Sequence, residues 1–254
     1  MLNKHTLDVT VVLPCHNEGP NIRAETERIH HALTQTQLSF EILCIDDGST
    51  DDTPDQLHAA AASLDLRILT HTQQLGAGAA RRLGTTQAHG RIIVWTDCDL
   101  TYPNEQIPHL IETLENHPTA EQVIGARTSE QGTHAATRRL VKALIRHYLS
   151  RRIGQPIPDL NSGLRVFYRD SAEHTLPLLP DGFSCTTTMT LDFLLQPRHV
   201  TYEPITYRPR SGTSKFHPIT DTYRLLRQAH HVLAYHTNNP APYDRSKGRH
   251  LPAN

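Results

Sequence analysis

Short apolar runs alternate with helical patterns through the first hundred residues of the chain. Alternation of this kind predicts a mostly parallel sheet with helices on both faces, in a Rossmann-like α/β fold. Open sheets of this type bind ligands at the carboxyl ends of their strands. The predicted strands cover residues 9–13, 40–45, 66–69 and 92–96, and the predicted helices cover about 21–36, 54–63 and 78–88.

The pattern becomes looser after residue 100. It predicts a helix over 104–116, a strand over 122–125 and a basic amphipathic helix over about 133–152 that ends before Pro156 and Pro158. A further helix over 217–236 has an apolar stripe, which either packs on the core or lies on a membrane surface. We expect a single domain over 1–237, made of two halves over about 8–100 and about 101–237, and a disordered tail over 238–254.

Length and composition disfavour a nucleic-acid-binding protein, a disulfide-linked protein and a membrane-spanning protein. The 254 residues suffice for a large core, and 25 Lys and Arg against 26 Asp and Glu do not indicate a nucleic-acid partner. The four cysteines form no Cys-x-x-Cys pair and indicate buried thiols in a reducing compartment. No signal-peptide core or membrane-spanning run is present, so we expect a cytoplasmic protein, with peripheral binding to the cytoplasmic face of a membrane as an option.

Polar and small residues follow three of the predicted strands. Residues 14–18 follow the first strand, 46–51 the second, and Asp97 and Asp99 the fourth. Each segment alone is typical of a turn or a helix cap. Because the carboxyl ends of parallel strands lie at one edge of the sheet, the three segments together predict a single site.

Asp97 and Asp99 are one residue apart where a buried strand ends, so their carboxylates are expected to point the same way. Two hard oxygen ligands suit Mg²⁺ or Mn²⁺, which keep other coordination positions for water and phosphate oxygens. The sequence therefore predicts a divalent-metal site that receives a diphosphate.

A glycine-rich segment opens the third predicted helix. Gly76 and Gly78 resemble the start of a dinucleotide-binding turn, but Arg81 stands where the third glycine of that fingerprint belongs. A dehydrogenase is therefore disfavoured. We expect the two glycines to let a backbone segment or helix N-terminus pass close to a nucleotide or sugar.

Eight motifs, in order over about residues 8–220, resemble those of family 2 glycosyltransferases, specifically the dolichol-phosphate mannosyltransferase-like branch that acts on polyprenyl phosphates. The first four are Val-Val-Leu-Pro-x-x-Asn-Glu at 11–18, Ile-Asp-Asp-Gly-Ser-x-Asp at 45–51, Leu-Gly-x-Gly-x-Ala at 75–80 and Asp-x-Asp-Leu at 97–100. The others are Gly-Ala-Arg at 125–127, Asp-x-Asn-Ser-Gly-Leu-Arg-Val-Phe at 159–167, Gly-Phe-Ser at 182–184 and Pro-Ile-Thr-Tyr-Arg-Pro-Arg-x-Gly-x-Ser-Lys at 204–215.

The resemblance implies an A-type glycosyltransferase fold, with a nucleotide-binding half over about 8–100 and an acceptor half over about 101–237. It also assigns roles to the matching residues. It implies nucleotide-sugar binding by Pro14, Asn17, Glu18, Asp46, Asp47, Gly76, Gly78, Asp97 and Arg127, with Mg²⁺ or Mn²⁺ on Asp97 and Asp99. It implies acceptor binding by Ser162, Gly163, Arg165 and Ser214, and catalytic roles for Asp99, Asp159, Arg210 and Lys215. Asp159 is the candidate general base if the acceptor is a hydroxyl.

The chain departs from the branch pattern in three places. Thr101 stands where many lipid-phosphate enzymes have glutamine, and Thr188 where the mannosyl enzymes tend to have glutamate. The third departure is the absence of C-terminal membrane spans. A third side-chain metal ligand and mannose as the donor sugar are therefore not implied for this chain.

The resulting hypothesis is an inverting, metal-dependent hexosyltransferase that uses a UDP- or GDP-sugar and a polyprenyl phosphate. The first alternative is a glycosyltransferase with a soluble saccharide or phosphorylated small molecule as acceptor. The alternative from another class is a nucleotide-sugar-binding protein without turnover. The sequence leaves the oligomeric state open.

Overall fold

The computed structural model describes residues 6–128, 135–182, 184–196, 198–208 and 218–239, with only the backbone for 135–142 and 218–224. Three predicted site residues, Arg210, Ser214 and Lys215, lie outside the described residues. The predicted tail over 238–254 also lies outside the described residues, apart from residues 238 and 239.

The described strands form one seven-stranded sheet in the order β3-β2-β1-β4-β6-β5-β7. Only β6 runs against its neighbours, since it pairs antiparallel with β4 and β5, while the other pairs are parallel. The strands are β1 (Leu7–Cys15), β2 (Phe40–Asp46), β3 (Leu66–Thr70), β4 (Gly90–Trp95), β5 (Ala120–Arg127), β6 (Arg165–Tyr168) and β7 (His199–Ile205).

Helices cover both faces of this sheet, which confirms the predicted α/β class. A short 3₁₀ turn, Asn104–Gln106, leads into the fourth helix. The helices are α1 (Gly19–Thr34), α2 (Thr53–Ala61), α3 (Ala77–Gln87), α4 (Ile107–Asn116), α5 (Ala135–Ile153), α6 (Arg169–Ala172), α7 (Cys185–Leu195) and α8 (Pro218–Asn238).

Alternate residues of the central strands supply two apolar cores, one on each face. On one face Val11 and Val94 pack with α1, α2 and α4, and on the other Val12 and Trp95 pack with α3 and α7. Burial on both faces explains why these strands read as continuous apolar runs. The polar ends of β1, β2 and β4 meet at one edge, since the three strands are adjacent and parallel.

A third apolar cluster decides the position of α8. Ala229 and Val232 of α8 pack against Leu191 and Leu194 of α7, together with Leu149 of α5. Much of the apolar stripe predicted over 217–236 therefore packs on the core, whereas Leu226 and Tyr235 are exposed. In the part of the chain that the structure describes, no helix is long and apolar enough to cross a bilayer.

Four elements are absent from the prediction, and one of them, α6, is a single turn of four residues. β6 has only four residues and includes Arg165, so it shows no apolar run. β7 lies at a sheet edge and is mostly half-buried or exposed. α7 is buried along nearly its whole length and rich in threonine, so it lacks the polar face by which a helix is recognised.

Candidate active site

The loops after β1 and β2 are joined by hydrogen bonds at the polar edge of the sheet. Asn17 has a left-handed backbone (φ 53°), and its Oδ1 accepts a hydrogen bond from Thr50 N at 2.8 Å. Ser49 Oγ accepts one from Asn17 N at 3.1 Å. Glu18 N donates to Thr53 Oγ1 at 2.8 Å. Together with Pro14 at the end of β1, these residues occupy the place expected for nucleotide binding.

Asp46 and Asp47 are both buried and hold loops of the protein itself. Asp46 Oδ1 accepts a hydrogen bond from Ser49 N at 3.0 Å. The Asp47 carboxylate accepts hydrogen bonds from Leu75 N at 3.0 Å and Gly76 N at 2.7 Å, and its Oδ1 lies 2.6 Å from His71 Nδ1. Asp47 therefore ties the loop before α3 to the end of β2.

Gly76 and Gly78 allow a close approach, but the segment that approaches them is residues 180–182. Gly78 N donates to Asp181 O at 2.6 Å, and a Cβ on Gly78 would lie 2.0 Å from Pro180 O. Gly76 has φ 112°, and a Cβ there would lie 2.5 Å from Asp181 O. The protein's own backbone at residues 180–182 therefore fills the space on the Cβ side of both glycines.

Asp97 and Asp99 lie in the turn that follows β4. Asp97 Oδ1 accepts a hydrogen bond from Arg81 Nη2, a guanidinium that is almost wholly buried. Burial opposes the charge of Arg81, but the Asp97 carboxylate together with Cys185 and Tyr102 outweighs burial and raises the pKa of Arg81. Asp99 Oδ1 accepts hydrogen bonds from the backbone and the hydroxyl of Thr101. Both carboxylates therefore have fixed orientations.

Asp159 and Arg127 form a paired unit on the acceptor side. Arg127 Nε and Nη2 donate to the two oxygens of Asp159 at 2.7 and 2.8 Å, and Nη2 also donates to Asn161 Oδ1 at 2.8 Å. Burial opposes ionisation of Asp159, but its bonds to Arg127 outweigh burial and lower the pKa of Asp159. A carboxylate with a lowered pKa and both oxygens engaged is a weak general base.

Gly163 brings the acceptor motif against Asp97. A Cβ on Gly163 would lie 2.6 Å from Asp97 Oδ2 and 3.1 Å from Arg81 Nη2. The backbone of Gly163 donates to the hydroxyl of Tyr102 at 2.7 Å. Tyr102 packs edge-on against Tyr207, whose ring lies 5.4 Å from the Arg127 guanidinium carbon. The metal motif and the acceptor motif are therefore in contact.

Arg165 lies beneath this site. Its side chain is fully buried and donates to the backbone oxygens of Ser162 and Thr186 and to Thr190 Oγ1. Burial, with the neighbouring Arg81 charge, lowers the pKa of Arg165 to about 10. The expected direct contact with an acceptor is therefore corrected to support of the Ser162 carbonyl. The buried Ser162 hydroxyl has no hydrogen-bond partner among the residues that the structure describes.

The two aspartates fit a divalent cation. Both offer hard carboxylate oxygens at the end of one strand, and the absence of a Cβ at Gly163 leaves room beside Asp97 Oδ2. Among the described residues, no group of three or more His, Cys, Asp or Glu side chains could hold a metal. Such a two-carboxylate set suits Mg²⁺ or Mn²⁺ whose remaining ligands come from water and a diphosphate.

Sequence reasoning missed three residues that support the site. Arg81 entered the sequence analysis only as a mismatch to the dinucleotide fingerprint, although an arginine among the small residues of a buried helix face is itself a signal. Tyr102 directly follows the aspartate turn in the printed sequence. Glu25 lies near the middle of α1 and shows no local signal, because only the tertiary structure brings it to residues 100 and 104.

Comparison with known families agrees with this geometry. The family model described as "Glycosyl transferase family 2" matches residues 10–176, which include β1, β4 and the 159–167 motif. The chain belongs to glycosyl transferase family 2. The match confirms the family that the ordered motifs resemble.

Curated relatives are undecaprenyl-phosphate 4-deoxy-4-formamido-L-arabinose transferases. One from Serratia proteamaculans is 29% identical over 192 residues, covering 71% of this chain and 57% of the relative. One from Pseudomonas fluorescens is 28% identical over 239 residues, covering 91% of this chain and 66% of the relative. The chain thus spans well under two thirds of the first relative's length.

Solved structures confirm the A-type glycosyltransferase fold. Glucosyl-3-phosphoglycerate synthase from Mycobacterium tuberculosis, solved with Mn²⁺, UDP and phosphoglyceric acid, matches with a TM-score of 0.66 at 22% identity, covering 91% of this chain and 78% of that one. The same enzyme with Mg²⁺ and UDP matches with a TM-score of 0.65, covering 93% and 82%.

Proposed function

We propose that this protein is an inverting, metal-dependent glycosyltransferase that moves a hexose from a UDP- or GDP-sugar to a polyprenyl phosphate. The observation that carries the proposal is the contact of Gly163, in the acceptor motif, with Asp97, in the metal motif. A donor diphosphate at Asp97 and Asp99 and an acceptor beside residues 159–163 would thus be neighbours. The relatives' polyprenyl-phosphate acceptor supports the choice of acceptor class.

The proposed reaction is a single displacement at the anomeric carbon of the sugar. An oxygen of the acceptor phosphate forms the new bond to this carbon, and the bond to the diphosphate oxygen breaks on the opposite face. The nucleoside diphosphate leaves with the electron pair, and the configuration inverts. Because a phosphate is already ionised at neutral pH, no proton needs to be removed, and positioning supplies most of the rate.

Donor binding is assigned to the loops at the ends of β1, β2 and β4. Pro14, Asn17 and Glu18 would line the nucleoside position, with Asp46 and Asp47 holding the loops around it. Asp97 and Asp99 would hold Mg²⁺ or Mn²⁺, which as a Lewis acid would neutralise charge on the departing diphosphate. The buried guanidinium of Arg81 fixes the Asp97 carboxylate beside that position.

The state of Asp159 favours a phosphate acceptor over a hydroxyl acceptor. A hydroxyl needs a general base, and Asp159 is engaged through both oxygens by Arg127. In our proposal Asp159 instead orients Arg127 towards the acceptor phosphate. Arg210, Ser214 and Lys215 are proposed to join it, since the backbone of Arg208 already reaches the site by donating to Thr101 O at 2.8 Å.

Peripheral membrane binding on the cytoplasmic face belongs to the same proposal. On α5, Leu144 and Tyr148 are 60% and 54% exposed. The sequence of this helix contains six Arg and Lys and no acidic residue, which suits an anionic bilayer.

We expect Leu144→Gln with Tyr148→Gln to reduce sedimentation with phosphatidylglycerol vesicles. Leu226→Gln with Tyr235→Gln, an exposed pair on α8, is the control. Equal binding of both variants would refute this surface.

The test of the function is a donor panel with a short-chain polyprenyl phosphate, read by mass spectrometry. UDP-glucose, UDP-GlcNAc and GDP-mannose are each incubated with Mn²⁺ or with EDTA. We expect one donor to give a sugar-phosphate-lipid product that disappears with EDTA and with Asp99→Ala, while circular dichroism shows that the variant is folded.

The same panel separates the alternatives. A product formed only on a soluble saccharide or phosphorylated small molecule would refute the lipid acceptor and retain the enzyme class. Tight binding of one nucleotide sugar without any product would favour a binding protein.

A further inference from the structure

Leu100, directly after Asp99, has a left-handed backbone. Its φ is 61°, a conformation that non-glycine residues adopt at a cost of about 1–3 kcal/mol. Such a conformation persists only where surrounding contacts hold it. The contacts of Leu100 therefore show what fixes the turn that presents Asp97 and Asp99.

Glu25 holds both ends of this turn. Its Oε2 accepts a hydrogen bond from Leu100 N at 2.8 Å. Its Oε1 accepts one from Asn104 Nδ2 at 2.6 Å, and Asn104 Oδ1 accepts one from Thr96 Oγ1 at 2.7 Å. Thr96 directly precedes Asp97, so residues 97–99 lie between two anchors that meet at one carboxylate.

Burial of the Glu25 carboxylate carries a desolvation penalty, and a stable core does not require a charged side chain at this position. Its side chain is fully buried on α1, and its charged neighbour Arg28 lies 3.2 Å away. Burial raises the pKa of Glu25, while Arg28 and the hydrogen bonds from Asn104 and Leu100 act in the opposite direction. An apolar residue at this core position would avoid the desolvation penalty but could not accept these bonds.

We infer that Glu25 is a positioning residue that fixes Asp97 and Asp99 for the divalent cation without contacting it. The inference rests on the proposed function, since it assigns a role to Glu25 in the metal site of that function. Some residues orient the ligands of a metal without binding the metal themselves. Replacing such a residue typically changes the affinity for the metal by about 10–100-fold. In this proposal Glu25 orients Asp97 and Asp99 through its hydrogen bonds from the Leu100 backbone and from Asn104.

Glu25→Gln is the principal test variant. A glutamine has one acceptor oxygen and one donor group, so it can accept from Leu100 N or from Asn104 Nδ2, but not from both. We expect the dissociation constant for Mn²⁺, measured by calorimetry in the presence of UDP, to rise by about 10–100-fold. The Leu100 amide should lose hydrogen-exchange protection in the absence of metal if the glutamine oxygen faces Asn104, and should keep it if that oxygen faces Leu100. Glu27→Gln, an exposed position on the same helix, is the control that should bind as wild type.

Asn104→Ala provides a second variant if Glu25→Gln does not fold. It removes the tie to Thr96 and leaves the Glu25–Leu100 bond, so Mn²⁺ affinity should fall while the Leu100 amide stays protected. Unchanged Mn²⁺ affinity in the folded variants, with only a lower melting temperature, would overturn the inference. Wild-type protein that binds no Mn²⁺ would instead refute the metal-dependent function itself, and Leu100 exchange would still report whether Glu25 holds the turn.

Discussion

Replacement of Gly163 by alanine tests the contact between the acceptor motif and the metal motif. The added Cβ would lie 2.6 Å from Asp97 Oδ2 and 3.1 Å from Arg81 Nη2. The first distance is well inside van der Waals contact, so the Asp97 carboxylate must move by several tenths of an ångström. The Arg81 guanidinium limits the direction of this movement, because it is almost wholly buried and bonded to Asp97.

The expected magnitude follows from these restraints. An added methyl group in a packed site costs about 1–3 kcal/mol, and each kcal/mol lowers the melting temperature of a domain of this size by about 2–4 °C. A displacement approaching 1 Å in a reacting group reduces turnover by about 100-fold. We therefore expect Gly163→Ala to remain folded, to melt a few degrees lower and to lose most of its turnover.

The assay compares Mn²⁺-dependent UDP binding, turnover and melting temperature in wild type and variant. Gly182→Ala is the matched control, because a Cβ at that position would meet no atom of the described residues beyond its chain neighbours within 4 Å. We expect the control to behave as wild type in all three measurements. Wild-type Mn²⁺ binding and turnover in Gly163→Ala would refute the reasoning, because Asp97 would then tolerate displacement or would not contribute to the site.

Three further predictions concern stability and accessibility. Asp159→Asn should destabilise the protein by about 1.5–3 kcal/mol at neutral pH, since it removes the carboxylate that accepts hydrogen bonds from Arg127 Nε and Nη2. The pKa of Asp159 in the folded protein is lower than its ordinary value of 3.8. The difference in unfolding free energy between wild type and variant should therefore be present above pH 3.8 and disappear as the pH falls through the folded-state pKa, as measured by denaturant unfolding. Tyr102→Phe should cost about 1–3 kcal/mol in the same assay, because it leaves Gly163 N without its acceptor. The four free cysteines are buried, so a thiol reagent should label none in the native protein and all four in denaturant, and rapid native labelling would contradict this.

The strands in the first hundred residues could be predicted along the chain because β1, β2 and β4 are largely buried on both faces. Their continuous apolar runs, such as 92–96, give a strong signal, and the polar segments behind them identify the edge at which ligands bind. The positions of Asp97 and Asp99 followed directly from this reasoning. The acceptor half gave weaker signals, because β6 is short and β7 lies at an edge.

Hydrogen-bond partners could not be predicted, since they depend on residues far apart in sequence. Asp47 bonds to a loop 28 and 29 residues away, and Arg81 bonds to Asp97 across 16 residues. Arg165 reads as a surface cation in a motif, yet it lies in the sheet beneath the site. Motif resemblance therefore predicts a candidate site but cannot separate residues that face a ligand from residues that support them.

The most direct test of the proposed function is a competition between two acceptors in one reaction. The protein is supplied with Mn²⁺, the preferred nucleotide sugar, a short-chain polyprenyl phosphate and 3-phosphoglycerate, and the products are separated and analysed by mass spectrometry and NMR. We predict a sugar-phosphate-lipid as the main product, with an anomeric configuration opposite to that of the donor. Transfer to 3-phosphoglycerate alone, or a lipid product with retained configuration, would contradict the account.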